Sequence, residues 1–214
     1  QTCALPISEK YPDVKFTAFG GLCLNHPVGG LNPDAVETSL KLGAKVIWLP
    51  TNTAENHYRK NGKDPSKGVV VTRDGKAVDE LQDIFALVKQ YNAVLATGHI
   101  GAEECFPVVE AARAAGVEKI VITHPEFWVV GMTPEQQADI VRKYDVLLES
   151  VYAQPVNGSY KINIPDNIAA MKAIGPEHFV LSTDSGQTVN PYWYESYTTY
   201  FKAVSEVFTS ENPE

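Results

Sequence analysis

AVLATGHIGAEECFPVVEAARAAGVEKIVITHP, residues 93–125, carries the reading that decides the fold. Ala93 to Thr97 is a short apolar run that closes on Gly98-His99. Glu103 to Ala115 has the spacing of an amphipathic helix, and Gly116 supplies its stop. Lys119 to Thr123 is a second apolar run, closing on His124-Pro125. Short strands that alternate with helices, apolar along their whole length, are buried on both faces and belong to a parallel sheet.

The same unit repeats on both sides. Upstream, Val14 to Leu24 reads as a strand. Asn32 caps a helix that starts at Pro33 and runs to about Leu42, with Gly43 as its stop. Lys45 to Pro50 is the next strand, and a long loop covers Thr51 to Lys67. Gly68 to Thr72 and Lys76 to Val78 flank Asp74-Gly75, a hairpin signal, and Val78 to Tyr91 reads as a helix. Downstream, Thr133-Pro134-Glu135-Gln136 opens a helix with a capping box. Val146 to Leu148 is a strand leading to Glu149, Tyr152 to Pro165 a loop, and Asp166 to Ile174 a helix. Phe179 to Ser182 is the last strand, ending at Thr183-Asp184, and Asn190-Pro191 opens a final helix.

Six strands, each followed by a helix, leave two architectures: an open doubly wound sheet, or a (β/α)8 TIM barrel that is incomplete. In the second, about six βα units are present and the first two strands are missing. The length of 214 residues is short for a whole barrel of about 250. No Gly-rich phosphate loop of the kind many open sheets carry is visible. Gln1 to Ile7 (QTCALPI) is what a widely used short-read sequencing adapter encodes in one frame. The reading therefore takes residues 1–7 as an artefact and residues 8–214 as a partial barrel domain, and leaves open whether the C-terminus is natural.

Composition bounds the partners. A net charge of -8 leaves no electrostatic footprint for phosphate backbones, which counts against nucleic acid and anionic membranes; nucleic acid stays open only where bound metal inverts the local field. Cys3, Cys23 and Cys105 follow no framework spacing, which points to a reducing cytoplasm, and Cys23 and Cys105 are read as packed thiols. No apolar run reaches the length of a membrane span, and no leader opens the chain.

Polar residues gather at the C-terminal ends of the strands: Asn25 and His26, then Thr51, His99, His124, Glu149 and Asp184. In a (β/α)8 barrel those ends converge on the active site. Imidazole nitrogen and carboxylate oxygen suit Zn2+ and its first-row neighbours, so His99, His124 and Asp184 are candidate metal ligands. The alternative for each is a hydrogen-bonded loop residue, and Asp184 beside Ser185-Gly186 equally suits a turn. His57 lies in the long loop, where both a lid role and a solvated surface position are open. His178 falls at the opposite end of the strands and is read as structural. The run Tyr192-Trp193-Tyr194, Tyr197, Tyr200-Phe201 is read as core or as a subunit contact of a homo-oligomer.

His at the third strand end, His at the fourth and Asp at the sixth resemble the last six strands of an amidohydrolase-superfamily barrel. LNHPVGGLNPDAV, KVIWLPT, ATGHI, VITHP and LSTDSGQ are similar to segments of an uncharacterised branch of it. The resemblance implies that His99, His124 and Asp184 match the superfamily's ligands on strands five, six and eight. Its His-x-His on strand one would precede this sequence. The strand-four Lys or Glu that bridges two metals is absent, since KVIWLPT ends in Pro50-Thr51, so one divalent ion, zinc, is expected.

The implied activity is a metal-dependent hydrolase acting on a small molecule through an activated water. Asp184 and His124 would be catalytic: Asp184 as proton acceptor, His124 as ligand or as the group polarising a carbonyl. Asn25, His26, Thr51, His57 and Glu149 would contact substrate. A metal-dependent decarboxylase on the same fold is the first alternative. A non-catalytic barrel or small-molecule binding protein is the second. A TatD-type deoxyribonuclease shares the ligand pattern, but the acidic balance and the missing strand-four Glu count against it.

Overall fold

The structure, a computed structural model, describes residues 18–210, and the reading of residues 1–7 falls outside them. The chain forms two compact units. The first runs to Thr123 and includes Trp128–Gly131; the second takes His124–Phe127 and the chain from Met132 onward.

The first unit is built on four parallel strands. These are β1 (Gly21–Cys23), β2 (Val46–Trp48), β5 (Val94–Ala96) and β6 (Ile120–Ile122), hydrogen-bonded in that order. Leu22 lies opposite Ile47, Ile47 opposite Leu95, and Ala96 opposite Val121. Helix α1 (Pro33–Lys41) begins where Asn32 accepts hydrogen bonds from the backbone N–H groups of Asp34 and Ala35. Helix α3 (Leu81–Gln90) buries Leu81, Ile84, Phe85 and Val88, an i, i+3, i+4, i+7 stripe. Helix α4 (Ala102–Ala114) follows β5 and buries Cys105, Val108, Val109 and Ala112. The hairpin β3 (Thr72–Arg73) and β4 (Lys76–Ala77) turns on Asp74-Gly75, both at positive φ as a type I′ turn requires.

One expectation is corrected here. The long loop contains a helix, α2 (Glu55–Lys60). Its sequence, ENHYRK, has no apolar period to betray it. It is held by tertiary hydrogen bonds: buried Asn56 donates to the carbonyls of His99 and Val129 at 3.0 and 2.7 Å.

The second unit pairs β7 (Leu147–Val151) with β10 (Phe179–Ser182) in parallel, Glu149 opposite Val180. Helix α5 (Pro134–Tyr144) starts at the expected capping box: the side chains of Thr133 and Gln136 each accept from the other's backbone N–H. Helices α6 (Ile164–Ile174) and α7 (Trp193–Ser210) follow the two strands. The expected loop from Tyr152 to Pro165 is instead an antiparallel ribbon, β8 (Ala153–Val156) with β9 (Ser159–Ile162). Its turn residues Asn157 and Gly158 carry positive φ. Asn-Gly is a hairpin signal that the sequence offered; Pro155 beside it hid the strand.

A small core in this unit joins Tyr152, Ala153, Met171 and Tyr200. The core reading of the aromatic run holds for Tyr200 alone: Tyr192, Trp193, Tyr194, Tyr197 and Phe201 are exposed. The α/β class with parallel strands holds in both units; neither unit by itself makes a barrel. Among the described residues no helix is long and apolar enough to cross a membrane.

Candidate functional site

In the first unit the C-terminal ends of the strands are bound to one another by side chains. The Asn25 side-chain oxygen accepts from the backbone N–H groups of Thr51 and Thr53 and from the Thr53 hydroxyl, at 2.9–3.1 Å. Its NH2 donates to Thr51 Oγ1 at 2.7 Å. Asn25 and Thr51 thus use their polar groups on joining the end of β1 to the end of β2. His26 is exposed, with Nε2 2.7 Å from the Lys67 carbonyl oxygen.

The turn after β5 is fixed by backbone. Gly98 holds a positive φ of 65°, and a Cβ there would strike the Leu49 carbonyl oxygen, so glycine is required. The Gly98 N–H donates to Thr123 Oγ1, and the His99 N–H to the Pro50 carbonyl, both at 2.9 Å. His99 is therefore presented in a set direction. His57 of α2 meets it: the two Nδ1 atoms are 2.8 Å apart and the ring planes lie 18° from parallel. One Nδ1 carries the proton that the other accepts, so the accepting imidazole is neutral when the bond is made. Burial, then the charge of Lys63, lowers the His57 pKa and favours that form.

In the second unit, His124 and Asp184 both hold positive φ, 24° and 49°. Neither is the turn residue of a hairpin or the stop of a helix. Non-glycine residues rarely take this region, and it recurs at functional sites. Burial pushes His124 down to about 4, and the Phe127 ring packs edge-on against it at 4.5 Å.

Glu149 is the centre of β7 rather than its end. Its carboxyl is raised by burial and then by the Asp184 charge, and is held down in part by the Ser182 side chain and the His124 N–H. Asp184 is raised by burial and accepts from Gln187 Nε2 at 3.1 Å. The second unit thus brings His124, Glu149 and Asp184 into one electrostatic neighbourhood. Among the described residues, no group of three or more His, Cys, Asp or Glu forms a metal-holding cluster.

A family model matches residues 2–149, more than half of the chain. The chain belongs to DUF6282, a family of unknown function. No curated protein matches this DUF6282 chain. Among solved structures it is similar to an amidohydrolase from Pseudomonas aeruginosa, with 13% identity and a TM-score of 0.54. That alignment covers 86% of this chain and 62% of the amidohydrolase, so the chain spans less than two thirds of its neighbour's length. At this identity the likeness is one of fold. A truncated 3-deoxy-D-arabino-heptulosonate 7-phosphate synthase from Thermotoga maritima aligns at 16% identity over 95% of this chain and 94% of that one, with a TM-score of 0.38. That score is too low to carry an argument.

Three further groups of this DUF6282 chain have shifted titration and lie outside the set of His124, Glu149 and Asp184. Cys23 and Cys105 sit as packed thiols, both raised mainly by burial. Glu126, two residues past His124, was not singled out in the sequence. Burial raises it to about 7, the largest effect, against hydrogen bonds from its own backbone and Val151. Only its place after the His-Pro strand end signalled it.

Proposed function

We propose that the whole protein is a metal-dependent hydrolase of the amidohydrolase type, acting on a small molecule with one divalent ion, zinc. The amidohydrolase-like fold is consistent with this. The observation that carries the reading is the His57–His99 pair. A metal-binding imidazole must be neutral, and its second nitrogen is engaged by a partner that fixes tautomer and orientation. His57 engages His99 in that way. If His99 Nδ1 carries the shared proton, its other nitrogen is the unprotonated one, the form a metal ligand requires. This pairing supports His99 as an imidazole ligand and says nothing of the remaining ligands.

His99 and Asp184 are the proposed ligands, with His124 as a further ligand or as the group that polarises a substrate carbonyl. Remaining ligands come from outside the described residues. When bound, a divalent metal supplies Lewis acidity and makes water acidic enough to react near neutral pH. Asp184 accepts the water's proton and delivers it to the leaving group; its raised pKa matches a residue that must both take and release. His26 and Glu149 are the proposed substrate contacts, while Asn25 and Thr51 shape the rim through their mutual bonds.

Metal analysis of purified protein tests this. His99→Ala and Asp184→Ala should each lose stoichiometric metal. Retention by both variants sinks the assignment. Carbon dioxide release from a panel of small acids would move the reaction to decarboxylation.

A further inference from the structure

Strand β7 alternates its side chains, so Glu149 and Ser150 face opposite sides of the strand pair. On the Ser150 side lies a cavity of about 410 Å³, lined by α5, α6, β7 and β10 together with Glu126. Its volume falls in the range of small-molecule sites. Ala169, Ala170 and Ala173 of α6 form one wall, and their short side chains leave the space open.

The polar end of this cavity is rich in acceptors. Glu126 is half-buried at the wall of the cavity. One of its oxygens has only two long approaches, from the Val151 N–H at 3.4 Å and Asn163 Nδ2 at 3.5 Å. Its own backbone N–H also approaches the carboxyl. Asn167 spends its NH2 on the Val151 carbonyl and the Tyr200 hydroxyl, at 2.8 and 2.7 Å. Its side-chain oxygen is left as an acceptor. The Tyr200 hydroxyl is also 2.6 Å from Ser150 Oγ, which fixes this wall from behind. A carboxyl held without full partners in a low-dielectric site is costly, and the ligand that relieves it must bring donors. An alcohol brings one donor, an ammonium group three and a positive charge.

We propose that this cavity is a binding site for a small primary amine with a short aliphatic body. The ammonium group donates to Glu126 and Asn167, and the chain lies along the alanine wall of α6. The proposal uses none of the side chains assigned to the hydrolytic centre, and its test reads neither metal nor hydrolysis, so failure of one reading is distinguishable from failure of the other.

The test is calorimetric titration of the whole chain with n-hexylamine, 1-hexanol and hexanoate at one pH. Hexylamine should saturate and bind at least tenfold more tightly than hexanol, with hexanoate weaker still. Glu126→Gln should bring the amine down to the level of the alcohol. Ala170→Leu, which fills the wall, should weaken the amine at least tenfold while the thermal transition persists. If Glu126→Gln does not fold, Ala170→Leu decides. Equal binding of amine and alcohol overturns the proposal. So do an amine affinity indifferent to Ala170→Leu and an absence of saturable amine binding.

Discussion

The two units use similar parts to different ends. In the first, Leu24, Ile47, Leu49, Leu81, Ile84, Phe85 and Leu95 are all fully buried, and the strand ends are tied by Asn25, Thr51 and Asn56. In the second, Ile140 and Leu148 are fully buried and a small cluster gathers around Tyr200. Apolar side chains such as Val156, Ile162, Val180 and Phe201 stay exposed, and half-buried acids and residues with positive φ lie on and beside the strands. The difference teaches where each unit spends its stability. The first holds two histidines in fixed register. The second keeps charged groups in surroundings that disfavour charge.

The largest expected effect sets one phenylalanine against another. Phe85 on α3 is 0% exposed and Phe201 on α7 is 55% exposed. Phe85→Ala should cost about 3–5 kcal/mol in urea unfolding. Phe201→Ala should stay within about 0.5 kcal/mol. Similar losses at both sites would break the contrast, and would mean that the exposed face of α7 is covered in solution.

A second test sharpens the electrostatic side. Glu126, at about 7 in the fold against an ordinary 4.5, holds its proton better when folded. Its contribution therefore falls as pH rises from 4.5 to 7. His124, at about 4 against 6.5, runs the other way: the unfolded chain binds the proton better, and stability rises over that window. Each swing is about 3 kcal/mol, and they oppose one another. Glu149 and Asp184, both raised, add to the Glu126 side. In metal-stripped protein, Glu126→Gln should make stability climb more steeply from pH 4.5 to 6.5 than in the parent. His124→Asn should make it fall more steeply. Urea midpoints that run parallel in all three proteins would dismiss both assignments.

The smallest effect concerns two asparagines before helices. Asn32 caps α1 with its side chain, whereas Asn163, before α6, turns its side chain to Gln154 Nε2 at 2.9 Å. Asn32→Ala should cost about 1 kcal/mol, with the earliest hydrogen-exchange opening at the start of α1. Unchanged exchange there would remove the cap from the account.

Local signals made much of the fold legible. Asn32, the Thr133–Gln136 capping box, the Asp74-Gly75 turn and the apolar strands all act between near neighbours in the chain. Sequence therefore displays them directly. Helix α2 was not legible, because its anchor is Asn56 reaching the backbone of residues 99 and 129. The β8–β9 ribbon was half legible, its Asn157-Gly158 turn overshadowed by Pro155.

The candidate site divides in the same way. Sequence alone placed His99, His124 and Asp184 beside the ends of parallel strands, since an apolar run that stops on a polar residue can be read by eye. Only tertiary structure decided that His57 closes on His99, that Asn25 and Thr51 satisfy each other, and that Glu126 lies against a cavity. Those pairings depend on strand register and on which helix face meets the sheet. Register and packing are settled between residues dozens of positions apart, where no local pattern records the partner.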